Sequence, residues 1–203
     1  MQCSFLVEPG FVALGANYEN GLAENLQNKY LNFLKDDVSF MAIDTATREI
    51  CGVIFSGITT RQEHGLIPKM GFSELCHKYD IYHAKLDYVT QDNFYPSEYF
   101  QDFPNSDQCI ELFAVGVSEN YKRKGIATKL VNYSMKEGKK KGCTGAILTA
   151  TAKATNGIAD KLQFSLYKSI KWCDYRDPKT GKVLYDNEQK LPHPLINSYH
   201  KFI

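Results

Sequence analysis

Residues Cys109 to Val117 form an almost uninterrupted apolar run, Cys-Ile-Glu-Leu-Phe-Ala-Val-Gly-Val. A strand of that composition is covered on both faces, as the strands of parallel sheets are. From Gly125 a helix follows through Leu130, Val131, Tyr133 and Met135, with stop signals at Gly138 and again at Gly142. Ala146 to Thr149 is the next buried strand. A strand, a helix and a strand in this order need a crossover connection, which joins parallel neighbours.

The flanking segments complete a sheet. Leu22, Leu26, Tyr30, Phe33 and Leu34 recur at helical spacing, so Asn20 to Leu34 is an amphipathic helix that Asp36-Asp37 ends. Val38 to Ile43 and Ile50 to Ile58 are β-rich runs around the turn Asp44 to Arg48, a hairpin. Thr59 to Asp107 is polar and dense in aromatics, with Glu74 to Leu86 a helical candidate. Beyond Thr149 come a helix over Thr155 to Leu162 and a second hairpin of Ser169 to Tyr175 with Lys182 to Tyr185. The turn Asp177-Pro178-Lys179-Thr180-Gly181 joins that pair. A last strand runs from Ile196 to Phe202. The expected class is α/β (α+β): a mixed, mostly antiparallel sheet with a central parallel strand-helix-strand unit and helices on both faces.

At 203 residues the chain buries roughly 70% of its extended surface as one domain, 1–203. It has no linker or repeat. A net charge of +1 gives no general pull toward nucleic acid or acidic membrane. No apolar run approaches the ~20 residues of a bilayer span, and the start lacks the basic flank and small-residue cleavage site of a signal peptide. A cytoplasmic location is expected. The six cysteines, Cys3, Cys51, Cys76, Cys109, Cys143 and Cys173, contain no C-x-x-C pair, which argues for reduced thiols, no disulfide framework and no metal.

Between strand and helix lies Ser118-Glu119-Asn120-Tyr121-Lys122-Arg123-Lys124-Gly125-Ile126-Ala127. Small residues at Gly125 and Ala127 let the backbone approach a ligand, and the first amides of the helix have no internal partner. Such a turn binds phosphate, and Lys122, Arg123 and Lys124 complement its charge. A solvated basic turn has the same composition.

This stretch resembles the acetyl-CoA-binding motif of the GNAT superfamily: a hydrophobic strand, then Arg or Gln, two residues, Gly, any residue, and Gly or Ala. Lys122 stands at the first of these positions. Neither a dinucleotide G-x-G-x-x-G nor a Walker motif is present. The resemblance implies acetyl-CoA bound by Lys122 to Thr128, that is Lys122, Arg123, Lys124, Gly125, Ile126, Ala127 and Thr128. It also implies a bulged strand with Ala114, Val115 and Val117 along the pantetheine arm, where Gly116 could ease the bulge. Further along the chain, four segments resemble the arylalkylamine N-acetyltransferases of insects and related invertebrates. They are Glu8-Pro9 with Ala13-Leu14-Gly15, Ser39 to Asp44, Glu49 to Val53, and Asp160-Lys161-Leu162. That family carries a strand and a helix ahead of its Glu-Pro segment, whereas seven residues precede Glu8 here. Either the chain is a shortened form or its sheet lacks the first edge strand, which would favour dimerisation.

The implied reaction is acetyl transfer to an amine, which arrives protonated because its pKa is ~10. A general base is needed. The resemblance assigns that role to Glu8, although a carboxylate before Pro9 also suits a helix start. A hydroxyl near the departing thiolate is implied at Thr151 and Thr155, spaced as on one helical face; Thr155 would equally serve as a helix cap. Two family features are missing: a tyrosine, where Ala159 stands, and a glycine, where Gln163 stands. The five histidines, His64, His77, His83, His193 and His200, show neither metal spacing nor a paired base.

Aromatics from Tyr79 to Phe103 suit an acceptor with a ring and an ammonium group. The expected acceptor is an arylalkylamine of the dopamine, serotonin, tryptamine or octopamine type. A polyamine, a protein N-terminus or a lysine amine is the alternative, and so is a CoA-binding protein without turnover. The expected partners are acetyl-CoA and a small amine, with no nucleic acid and no membrane, in a monomer or weak homodimer.

Overall fold

The computed structural model describes residues 31, 33–64, 73, 74, 77, 84, 96–177, 179–183, 185 and 193–203. Glu8, most of the expected helix Asn20 to Leu34, and nearly all of Glu74 to Leu86 lie outside the described residues. So do the aromatics from Tyr79 to Tyr95.

Six strands form one mixed sheet: β1 (Phe40–Ile43), β2 (Ile50–Thr60), β3 (Gln108–Val117), β4 (Gly145–Ala150), β5 (Ser165–Lys171) and β6 (Leu195–Phe202). Their order is β1-β2-β3-β4-β6-β5. The expected crossover is present, since β3 and β4 pair in parallel from Cys109↔Gly145 to Leu112↔Leu148. All other neighbours are antiparallel. Among the described residues, the helices with defined bounds are α1 (Arg61–His64), α2 (Pro96–Asp102), α3 (Ile126–Lys140) and α4 (Lys153–Lys161).

Strand alternation divides the core. Ile110 and Leu112 of β3 and Ala146, Leu148 and Ala150 of β4 pack with Leu130, Val131 and Met135 of α3 and with Ile158 and Ala159 of α4. Cys109 and Ile147 point the other way, to Tyr99, Phe100 and Phe103 around α2. Gly138 does not stop α3. It sits on the sheet so closely that a Cβ there would lie 3.0 Å from Ile110 Cδ1. The helix ends at Lys140, and Gly142 takes the left-handed turn with φ +98°.

The first hairpin forms as expected, with Asp44 accepting the amides of Ala46 and Thr47 in its turn. Three expectations need correction. The second hairpin shrinks to a single bridge, Arg176↔Val183, because the chain before it is already used: β5 pairs with β6, and Trp172 to Asp174 form a 3-10 turn around the fully buried Trp172. The Asp177 turn itself is present, its carboxylate accepting the amides of Lys179 and Thr180. The helix after β4 begins at Lys153 rather than Thr155, with Ala152 as its N-cap, so Thr155 is not a cap. Thr151 lies ahead of that N-cap, so the two threonines do not share one helical face.

The bulge of β3 also falls elsewhere than Gly116. Phe55 of β2 pairs with Ala114 and Ser56 with Leu112, which leaves Phe113 as the extra residue. Its ring stacks on Phe33 at a centroid distance of 4.4 Å. An aromatic at this point has a packing partner that a glycine would lack.

Candidate active site

Both parallel strands lead at their carboxyl ends into helices, β3 into α3 and β4 into α4. The N-termini of α3 and α4 therefore lie at the same end of the sheet. Beyond Leu112↔Leu148 the β3–β4 ladder stops. Ala114 to Val117 keep β2 on one side, and Thr149 and Ala150 keep β6 on theirs. The two strands thus part just past the bulge. Ala114, Val115 and Val117 line the β3 side of this opening, half-buried, with backbone groups on an edge that β4 no longer pairs.

The chain leaves β3 through a 3-10 turn, Glu119–Tyr121. It then passes twice through the left-handed region, at Arg123 with φ +62° and at Gly125 with φ +77°. Such changes of hand turn successive amides toward a common point. Gly125 is the N-cap of α3 with no side-chain cap. The first helical bond runs from the Lys129 amide to the Gly125 carbonyl, at 3.0 Å. The amides of Ile126, Ala127 and Thr128 therefore have no acceptor within the helix. A Cβ at Gly125 would meet nothing within 4 Å; glycine is required by φ, and the space beside it is open.

The three cations are not equivalent. Lys122 pairs with Glu119 at 2.5 Å. Lys124 lies over the Tyr121 ring, 4.7 Å from its centroid. Arg123 has no partner among the described residues. The loop is braced from the β1–β2 turn, where Tyr121 Oη donates to Glu49 Oε2 at 3.1 Å and lies 3.4 Å from Thr47 Oγ1. In the same turn the amides of Ala46 and Thr47 hold the Asp44 carboxyl below its usual range. The sequence offered no sign of this brace, because Tyr121 and Glu49 lie 72 positions apart. The free amides, the open flank of Gly125 and an unpaired strand edge fit a ligand with a pyrophosphate and an amide-bearing arm.

On the β4 side, Thr151 follows the strand and Thr155 sits in the first turn of α4, both partly buried. The neighbouring Asn156, which sequence reasoning passed over, is buried and bonded to Ala152, Asn197 and Tyr199. In the sequence Thr-Asn-Gly, an asparagine reads as a cap or turn residue. Its partners on β6 are 41 and 43 positions away, beyond any local pattern. Ala159 is fully buried in the core, and its methyl group carries no proton for a departing thiolate. Gln163 occupies a left-handed position, φ +58°, for which glycine is the unstrained choice.

The described cysteines, Cys51, Cys109, Cys143 and Cys173, are free thiols. Burial raises Cys143 to about 11 and Cys109 still further, so neither is a nucleophile at neutral pH. Among the described residues, no group of His, Cys, Asp and Glu is arranged to hold a metal, and no helix is long and apolar enough to cross a membrane.

Residues 88–162 match the model of the acetyltransferase (GNAT) family. No curated protein sequence matches the chain. Among solved structures, arylalkylamine N-acetyltransferase 2 from Aedes aegypti superposes with a TM-score of 0.77 at 23% identity, over 98% of this chain and 88% of that one. A polyamine N-acetyltransferase of Drosophila melanogaster gives 0.69 at 14% identity, over 87% and 80%. Arylalkylamine N-acetyltransferase 7 of Aedes aegypti, itself described as putative in function, gives 0.71 at 14% identity, over 96% and 76%. The segment that matches the acetyltransferase (GNAT) family model runs from before β3 to the end of α4 and so contains both sides of the opening, and the solved structures show that the chain shares the fold of these N-acetyltransferases.

Proposed function

We propose that the chain transfers the acetyl group of acetyl-CoA to a small primary amine, with an arylalkylamine of the dopamine, serotonin, tryptamine or octopamine type as the first candidate. The observation that carries this reading is the opening between β3 and β4 beside the uncapped amides of α3. Acetyl-CoA supplies an activated thioester. The amides of Ile126 to Thr128, with Gly125 and the cations Lys122, Arg123 and Lys124, bind its pyrophosphate. The edge of Ala114, Val115 and Val117 aligns the pantetheine amides.

At neutral pH only about one alkylamine in a thousand is unprotonated, given a pKa of ~10. Glu8 takes the ammonium proton, directly or through water, and the freed lone pair attacks the thioester carbonyl. The hydroxyls of Thr151 and Thr155 and the free amides at the start of α4 stabilise charge on the departing thiolate. The reading takes residues 1–203 as one domain working in a reducing compartment, the cytoplasm, in keeping with the free thiols.

The test is acetyl-CoA-dependent thiol release by the purified chain with tryptamine, dopamine, serotonin, spermidine and a short peptide. Release with the arylalkylamines is expected. Preference for spermidine or peptide would retain the reaction and replace the substrate class. Acetyl-CoA binding with no release for any amine would overturn the enzymatic reading. Glu8→Ala is expected to lower kcat with little change in acetyl-CoA affinity.

A further inference from the structure

Asn156 lies in the first half of α4, 9% exposed, and is bonded on two sides. Its Nδ2 donates at 2.9 Å to the carbonyl of Ala152, the N-cap, which also accepts the Asn156 amide at 3.1 Å. Its Oδ1 accepts from Asn197 Nδ2 and from Tyr199 Oη, each at 2.7 Å. Asn197 and Tyr199 are two apart on β6, so both face α4; they pair with Ala150 and Leu148 of β4. Asn197 is held in turn by Ser169 Oγ of β5, which donates to its Oδ1 at 2.6 Å.

The surroundings are apolar. Ile158, Ala159, Phe164, Leu148 and Ala150 belong to the same core, and a leucine-like side chain would find apolar contacts there while leaving Asn197 Nδ2 and Tyr199 Oη without their acceptor. Carboxamides buried in such a place are tolerated only when their bonds are made. What they add over apolar packing is geometry. Apolar contact allows one surface to slide on another, whereas two bonds converging on one oxygen fix both the depth and the rotation of the helix on the strand.

The element so fixed is the one that starts beside the opening. Leu148, the partner of Tyr199, is also the last residue of β4 that pairs with β3. α4 has no side-chain cap to anchor its first turn. We infer that Asn156 is a positioning residue for acetyl transfer: through Asn197 and Tyr199 it holds the start of α4, with Thr151 and Thr155, at one depth against β4 and β6. The inference rests on the proposed reaction and deepens it, since a displacement of about 1 Å at a reacting centre can cost ~100-fold in rate.

The test compares Asn156→Leu, Asn156→Asp and Tyr199→Phe with the unaltered chain, with the acceptor that the thiol-release assay identifies. Asn156→Leu keeps the volume and removes the polar bonds. It is expected to lower kcat ~10- to 100-fold while the acetyl-CoA Kd, read by calorimetry, and the acceptor KM stay within about twofold of the unaltered chain. Asn156→Asp keeps the oxygen that accepts from Asn197 and Tyr199 and is expected to recover most of the lost kcat. Tyr199→Phe removes one of those two bonds and is expected to fall between them. A purely structural role would leave kcat per folded molecule unchanged, and that result in Asn156→Leu would overturn the inference. So would equal losses in kcat and acetyl-CoA affinity, or no recovery in Asn156→Asp. If Asn156→Leu does not fold, unchanged kcat in Tyr199→Phe overturns the inference and a reduced kcat at constant KM supports it. An unaltered chain that turns over no amine would remove the proposed function and this inference together, whereas an active chain with an unaffected Asn156→Leu removes the inference alone.

Discussion

Leu112 and Leu148 form the last rung of the parallel ladder, and one residue further Phe113 bulges out of β3. Both features concern the same few ångströms of strand. An extra residue kinks β3 and increases its twist, which carries Ala114 to Val117 away from β4 while β2 still holds them. Deleting Phe113 should restore a regular ladder and draw the opening closed. The expected result is a folded protein whose acetyl-CoA Kd, measured by calorimetry, rises at least ~10-fold, about 1.4 kcal/mol. Phe113→Ala keeps the residue count and loses the stack on Phe33, worth ~0.5–1.5 kcal/mol of stability. It should bind within a few-fold of the unaltered chain. Equal binding by the deletion variant would show that the opening does not depend on the bulge.

Gly125 separates two effects that usually come together. Its φ of +77° makes any other residue strained, by ~1–2 kcal/mol, but its flank is open, so no clash is added. Gly125→Ala is expected to lower Tm by a few degrees and weaken acetyl-CoA modestly. Gly125→Glu carries the same backbone strain and adds an anion beside the amides of Ile126 to Thr128, where the proposed function puts the pyrophosphate. Unit charges at 4 Å repel by ~1 kcal/mol in water and ~4 kcal/mol at partial burial. A further loss of roughly 10- to 1000-fold in affinity over Gly125→Ala is therefore expected, shrinking as salt is added. Identical affinities for the two variants would place the phosphates elsewhere.

Gln163 closes α4. The Phe164 amide bonds the Ala159 carbonyl at 2.9 Å across it, and the Gln163 side chain is exposed. Nothing in this arrangement uses the glutamine, while its φ of +58° is that of a C′ glycine. Gln163→Gly should relieve about 1 kcal/mol of strain and raise Tm by ~2–4 °C for a chain of this size, with kcat unchanged. A lower Tm would mean that the side chain makes a contact stronger than the strain.

The strand-helix-strand unit, the first hairpin and the glycine turn ahead of α3 were legible because each rests on neighbours in sequence. An apolar run, a glycine ahead of a helix and three cations in a row are local facts, and the structure keeps them together. Reading failed where distant segments decide. The second hairpin gave way because β6, far along the chain, claims β5. The bulge settled on Phe113 rather than Gly116 because Phe33 offers a ring to stack on. Thr155 lost its capping role because Asn156 bonds back to Ala152 and across to β6, which starts the helix earlier. Local rules describe what a residue prefers, and long-range partners select among the preferences.

His200 gives a pH dependence with a definite sign. Its ring is 5% exposed, stacks on Phe103 at 4.1 Å and meets Phe202 edge-on at 4.4 Å. Its Nε2 has no hydrogen-bond partner among the described residues. Burial lowers its pKa from the ordinary 6.5, since a charged imidazole would lose its hydration there. In the unfolded chain the same histidine protonates as pH falls through about 6.5. Below that value the unfolded state holds a proton that the folded state refuses. The contribution of His200 is thus fully present above about pH 6.5 and is lost as pH falls toward the lowered folded value, at no more than ~1.4 kcal/mol per pH unit for one proton. His200→Phe removes the titrating group and keeps an aromatic ring in the stack. Urea unfolding at pH 7.5, 6.5, 5.5 and 5.0 should show the unaltered chain losing stability over the three lower values, and the variant losing measurably less. Parallel curves for the two would mean that His200 protonates as readily in the folded state, with a partner or a route to solvent that the packing around Phe103 and Phe202 does not reveal.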